Sequence, residues 1–142
     1  SLKAIRENIL YVGQNEKLFT GTIRENIICF RNISDEKFKQ VCKICKLEEI
    51  INKRPNRYNT IINASLNNLS GGEKQRIILA RALLKKAKII ILDEALSEVN
   101  VNMEKEILDN IFTYFKNNTL IYVTHKNVED KFTKIIRLGE LC

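Results

Sequence analysis

Short aliphatic runs alternate with amphipathic stretches along the chain, and this alternation sets most of the predicted elements. Ile9-Leu10-Tyr11-Val12 is a brief apolar run closed by Gly13, the pattern of a buried strand. A polar loop follows over residues 14–21, and residues 22–28 read as a short helix with Thr22 at its start. Ser34 opens a clearer helix. Asp35 and Glu36 fall in its first turn, where the dipole favours negative charge, and Phe38, Val41, Cys42 and Cys45 recur at helical spacing. Pro55 ends that pattern, so residues 52–68 read as loop, with a short helical piece before the proline. Ser70-Gly71-Gly72-Glu73 then begins a long helix reaching about residue 86, with Ile77, Ala80 and Leu84 on one face. Lys88 leads four aliphatic residues into Asp93, which predicts a strand buried on both faces. An amphipathic helix follows over 101–115, with Leu108, Ile111, Phe112 and Phe115 on one side. Residues 119–123 form a strand running into Thr124-His125. A short helix over 127–131, a last strand over 134–138 and a turn at Gly139-Glu140 complete the prediction.

Strands that alternate with helices predict an α/β fold with a mainly parallel sheet. Residues 21–68 break the alternation and read as a helical insertion between the first strand and the second. The 142 residues fit one domain, large enough to bury a core. A membrane-spanning helix needs about 20 apolar residues, and the longest buried-looking aliphatic run is Ile89-Ile90-Ile91-Leu92, so no span is expected. Lys3, Arg6 and Glu7 interrupt any secretion-signal core.

The net charge of +7 favours anionic partners without choosing among nucleotide, nucleic acid and an acidic membrane surface. Cys42 and Cys45 match C-x-x-C, but both lie on the apolar stripe of a predicted helix, and the only histidine, His125, is far away in sequence. They read as small buried hydrophobes, and the chain as intracellular with reduced thiols.

Four positions carry candidate chemistry. Asp93-Glu94 places two acids where an aliphatic strand ends, and ligands of open α/β sheets sit at the carboxyl ends of strands. One carboxylate there can hold Mg²⁺ and the next can orient an attacking water; the plainer alternative is a helix cap. Ser70 and Glu73 have capping-box spacing, but a cap alone does not require Gly71 and Gly72 in succession. Paired glycines at a helix start let a phosphate approach bare N–H groups. His125, at a strand exit, is either structural or a donor to a phosphate oxygen. Gln14, at the exit of the first strand, offers an amide oxygen to water or Mg²⁺.

In chain order Gln14, Ser70-Gly71-Gly72, Asp93-Glu94 and His125, these motifs resemble the later part of the nucleotide-binding domain of an ATP-binding cassette (ABC) transporter, over essentially the whole chain. Tyr11-Val12-Gly13-Gln14 is similar to the Q-loop, Leu69 to Arg76 (LSGGEKQR) to the signature, and Ile89 to Glu94 to Walker B. Residues 94–100, including Ser97 and Asn100, occupy the D-loop region, and Thr124-His125 resembles the H-loop switch. The resemblance implies a partial P-loop NTPase core with an inserted helical subdomain. Residues 1–142 would form one partial domain: a Q-loop strand and loop in 1–20, a helical and signature region in 21–87, and Walker B, D-loop and H-loop in 88–142. It further implies ATP and Mg²⁺ as ligands, with Gln14 and Asp93 serving the metal, Glu94 the attacking water and His125 the γ-phosphate. Ser70, Gly71, Gly72 and Glu73 would complete the site of a second, head-to-tail nucleotide-binding domain.

Leu18 to Ile27 (LFTGTIRENI) resembles the exporter branch, where this stretch meets the transmembrane domain. That implies a place on the cytoplasmic face of the membrane, no specific nucleic-acid partner, and a peptide or bacteriocin exporter as one candidate.

Departures from the family pattern set further expectations. No G-x-x-x-x-G-K-[ST] occurs, so no Walker A phosphate loop is present, and the chain by itself is expected to be inactive. Loss of the neighbouring Walker A strand is expected to expose the sheet edge near residues 120–123. Asn100 stands where Asp is usual in the D-loop, Ala64 where exporters often carry Glu, and Glu73 where Gln is more frequent. Two alternatives stay open: a DNA-repair or chromosome-type ABC ATPase, and a non-catalytic module that supplies the signature in trans.

Overall fold

The computed structural model describes residues 1–63, 68–128 and 131–137. Three parallel strands make the central sheet: β1 (Ile9–Val12), β4 (Ile89–Asp93) and β5 (Thr119–Val123), in the order β1-β4-β5. Ile9 pairs with Ile89 and Val12 with Leu92; Ile89 pairs with Thr119 and Asp93 with Val123. The predicted α/β class and parallel sheet are therefore present. The predicted burial of β4 on both faces is not: Ile90 and Leu92 are buried, whereas Ile89, Ile91 and Asp93 alternate onto a half-exposed face.

Between β1 and β4 lie a two-residue antiparallel pair, β2 (Gly21–Thr22) with β3 (Ile61–Ile62), and the helices α2 (Ile23–Ile28), α3 (Asp35–Ile44), α4 (Glu48–Asn52) and α5 (Gly71–Leu83). The last long helix is α6 (Val101–Tyr114), and a short helix α1 (Leu2–Asn8) precedes β1. Helix α1 is only seven residues long and buries none of them, with Leu2 and Ile5 exposed, and no helix is predicted there from sequence. Lys131 is 3-10 helical, its N–H donating to the Val128 carbonyl at 3.2 Å, whereas residues 134–137 contain no strand, so the last predicted strand fails over the described residues. Leu138, the Gly139-Glu140 turn and Ala64 lie outside the described residues.

Helix starts follow the caps read from sequence. Ser34 Oγ accepts the Lys37 N–H at 3.3 Å, and Thr22 and Ser70 each head a complete capping box with Glu25 and Glu73. Asn100, whose side chain accepts the Met103 N–H at 2.9 Å, caps α6. Asn and Asp cap a helix about equally well, so this departure costs the local structure little.

One core cluster joins the sheet to the helices. Ile23, Ile27, Ile44, Leu79, Leu92 and Ile107 are completely enclosed within it. Cys42 and Cys45 are buried there too; desolvation pushes the Cys42 thiol up to about 11 and the Cys45 thiol well above its ordinary value. Both therefore stay as neutral, unreactive thiols.

A buried amide ties the segment after β1 to α2. Asn26 Oδ1 accepts the Phe19 N–H at 3.0 Å, and its Nδ2 donates to the Phe19 and Thr22 carbonyls at 2.9 and 3.1 Å. Arg81 on α5 donates to the Asn26 carbonyl at 2.8 Å and to the Lys17 carbonyl at 3.0 Å. Asn26→Leu keeps the volume but strands the Phe19 backbone, so we expect a loss of about 1–3 kcal/mol. Urea unfolding measures it; an unchanged midpoint contradicts the assigned role.

At the start of α5, burial alone would raise the Glu73 carboxyl. The Ser70 N–H at 3.0 Å and the Arg54 guanidinium at 3.1 Å outweigh burial and hold it below the ordinary carboxylate value. A folded value below the unfolded one means that the unfolded chain binds more protons in the window between them. The stabilisation is thus complete above the unfolded value of about 4.3 and fades as pH falls through the lower folded value. Urea midpoints of the parent chain and Glu73→Gln, compared from about pH 6 to about pH 3, should converge at the acid end. A constant difference would show that this carboxylate is not the titrating group.

Candidate nucleotide site at the strand ends

Because β1, β4 and β5 are parallel, their carboxyl ends lie along one edge of the sheet. The register fixes what projects there. Gln14 follows β1 by two residues, Asp93 ends β4, and His125 follows β5 by two residues. Gln14 and His125 are exposed, and Asp93 and Glu94 are half-buried.

Glu94 turns the chain sharply as it leaves β4. Its φ is 53°, in the left-handed region that non-glycine residues seldom enter, and its N–H donates to the Val123 carbonyl at 3.0 Å. The turn brings its carboxylate to His125, with Nδ1 at 3.0 and 3.1 Å from the two oxygens. Asp93 has a different partner: the Tyr11 hydroxyl donates to Oδ2 at 2.8 Å. That bond is the main reason the Tyr11 phenol is raised above its ordinary value. Gly13 makes room for the tyrosine ring, since a Cβ there would lie 2.9 Å from ring carbon and hydroxyl oxygen.

The signature segment sits at the N-terminus of α5. Ser70 Oγ accepts the Glu73 N–H at 3.2 Å. The two glycines have a reason beyond any bound phosphate: they admit the loop 95–99 of the same chain. A Cβ on Gly71 would lie 1.7 Å from a Glu98 carboxylate oxygen, and one on Gly72 would lie 2.8 Å from the Glu98 carbonyl. Gln75 fastens the same contact, donating to Ser97 Oγ at 2.9 Å and accepting the Glu98 N–H at 2.9 Å.

Of the residues singled out from sequence, Glu94 and His125 are in direct contact, and Asp93 is their neighbour. Ser97 joins the signature helix to the loop that follows Glu94. Asn100 serves as a cap, and Gln14 stands at the sheet edge without a bond to the acids. Sequence reasoning missed Tyr11, Gln75 and Lys126. Tyr11 occupies an outward strand position, and its partnership with Asp93 depends on a register that no local pattern gives. A groove of about 500 Å³ beside β1 and α5, bordered by Arg6, Leu10, Arg31, Arg81 and Lys85, contains none of the predicted site residues.

The chain is similar in sequence and fold to known proteins. The ABC transporter family profile matches residues 1–97, more than half of the chain. The transport/processing ATP-binding protein ComA of Streptococcus pneumoniae is 35% identical over 141 residues, which is 97% of this chain and 19% of ComA. The lactococcin-G-processing and transport ATP-binding protein LagD of Lactococcus lactis is 37% identical over 124 residues, 85% of this chain and 17% of LagD. Among solved structures, a bacterial Atm1-family ABC exporter with ATP bound superposes with a TM-score of 0.80 at 30% identity, covering 89% of this chain and 22% of that one. The chain thus spans less than a quarter of each of these proteins. With that family profile matching more than half of its length, the chain belongs to the ABC transporter family.

Proposed function

We propose that this chain supplies the water-activating and signature part of an ATPase that powers transmembrane export. The observation that carries the reading is the contact of Glu94 with His125, beside Asp93, at the carboxyl edge of a parallel sheet. The likeness to ComA, LagD and an ATP-bound exporter supports export as the work performed.

In this reading Glu94 accepts a proton from the attacking water and orients it. His125 holds Glu94 through Nδ1, and when the ring carries both protons its other nitrogen can donate to a γ-phosphate oxygen. Asp93 fits a Mg²⁺ site: its carboxylate is half-exposed at the strand exit, Tyr11 engages only one oxygen, and oxygen donors suit that ion. Gln14 is the second candidate ligand, directly or through water. When bound, the metal would neutralise charge on the transferring phosphoryl group. Ser70, Gly71, Gly72 and Glu73 present a capped helix N-terminus suited to the nucleotide of a second, head-to-tail domain. Ser97 and Asn100 hold the loop between the two sets. The wider assembly we propose includes a transmembrane domain, with this domain on the cytoplasmic face. None of the described helices is long and apolar enough to cross the membrane itself.

The sequence contains no G-x-x-x-x-G-K-[ST] loop to cradle the phosphates. Calorimetry on these 142 residues should therefore show no Mg-ATP binding in the micromolar range, and micromolar affinity would overturn that expectation. In a transporter in which this segment is joined to a phosphate loop, Glu94→Gln should slow ATP turnover by at least about 100-fold and accumulate an ATP-bound dimer. Unchanged turnover would remove Glu94 from its role.

A further inference from the structure

Loop 95–99, between Glu94 and α6, is gripped from two sides by side chains that the proposed chemistry does not use. From α5, the Gln75 amide reads the loop twice, with its Nε2 on Ser97 Oγ at 2.9 Å and its Oε1 on the Glu98 N–H at 2.9 Å. From the segment after β5, the Lys126 ammonium donates to the Leu96 carbonyl at 2.8 Å, to the Val99 carbonyl, and to Glu104 Oε2 at 2.8 Å. An ammonium has three N–H donors, and these three acceptors match them.

The lysine is anchored from below. Glu104 on α6 is completely buried, and its other oxygen accepts the Tyr122 hydroxyl from β5. A buried carboxylate stays charged at low cost only when it is paired and hydrogen-bonded. Both conditions hold here, so the Lys126 ammonium has a fixed place. It then fixes two backbone carbonyls of the loop.

The two grips lie next to the residues at the strand ends. Lys126 directly follows His125. The loop begins right after Glu94, whose left-handed backbone persists only if its surroundings over-determine it. Gln75 lies on the first turns of the helix that starts with the signature, and Gly71 and Gly72 face the same loop.

We propose that Gln75 and Lys126 are positioning residues: together they clamp loop 95–99 in one shape, and through it they fix Glu94 and His125 relative to the N-terminus of α5. The inference deepens the functional reading above and rests on it for its purpose, since two half-sites on one rigid loop must move together. Its physical content, one shared clamp, stands apart from any nucleotide.

The test therefore uses no nucleotide, and its failure is distinguishable from failure of the ATPase reading. His125 is the only histidine in the sequence, so its ring proton signals give an unambiguous magnetic-resonance reporter of the far end of the clamp. Amide hydrogen exchange over residues 95–99 reports the loop itself. In the 142-residue chain, Gln75→Met should speed exchange over 95–99 by about tenfold, leave α3 protected, and shift the His125 ring signals. Gln75→Glu keeps the acceptor for Glu98 and can take a bond from the Ser97 hydroxyl, so it should restore both readouts. Lys126→Met alone would strand the buried Glu104 charge. The paired variant Lys126→Met with Glu104→Gln removes both charges together and should reproduce the loop and histidine changes while the core stays protected. Arg54→Met, which loosens the start of α5 without touching the loop, should leave His125 unmoved. Unchanged exchange over 95–99 in folded Gln75→Met overturns the clamp. Faster exchange with His125 signals unmoved overturns the coupling. Equal deprotection of α3 reduces Gln75 to a general stability residue and overturns the proposal as well.

Discussion

Strand β4 lies between β1 and β5, and both pairings are parallel and in register from Ile89 onward. Evenly spaced, slanted ladder bonds leave no freedom to slide one strand without losing the whole ladder. A one-residue slip would turn Ile90 and Leu92 outward and carry Ile89 and Ile91 into the core. The positions of Asp93, Glu94 and His125 follow from this register. Their side chains gather at one edge because β4 is paired on both sides, Leu92 with Val12 of β1 and Asp93 with Val123 of β5.

The second organising feature is the tight turn at Glu94. Its backbone conformation is unfavourable for a residue with a Cβ, and structures of this kind persist where neighbours impose them. Here the imposing neighbours are identifiable: the Val123 carbonyl on one side, His125 on the carboxylate, and the loop held by Gln75 and Lys126 beyond. The same loop explains Gly71 and Gly72, whose missing side chains make space for Glu98. One short segment thus links the helix start that carries the signature to the strand ends that carry the acids.

Much of this was legible in the sequence wherever a local rule decides the outcome. Ser34, and Ser70 with Glu73, read as helix starts because capping is a contact within three residues. The strand at residues 88–93 read correctly from its unbroken aliphatic run, and the helices over 35–45 and 101–115 from their strong apolar periods. The shortest elements were not legible. Helix α1 buries nothing, and the two-residue pair of β2 with β3 is shorter than any alternation can reveal. The hydrogen bonds Tyr11–Asp93, Gln75–Ser97 and Lys126–Glu104 span 82, 22 and 22 residues, and only the assembled fold brings such groups together. The likeness to the family pointed to candidate residues; the long-range bonds that hold them in place appear only in the folded structure.

The outer side of β5 has a consequence for handling the molecule. This strand ends the sheet order, and its Ile121 and Val123 side chains are 46% and 42% exposed. Backbone groups along that side offer a ready template to any extended peptide with a matching run of β-branched residues. An uncovered edge of this kind is a general liability for strand pairing between copies, which dilution disfavours.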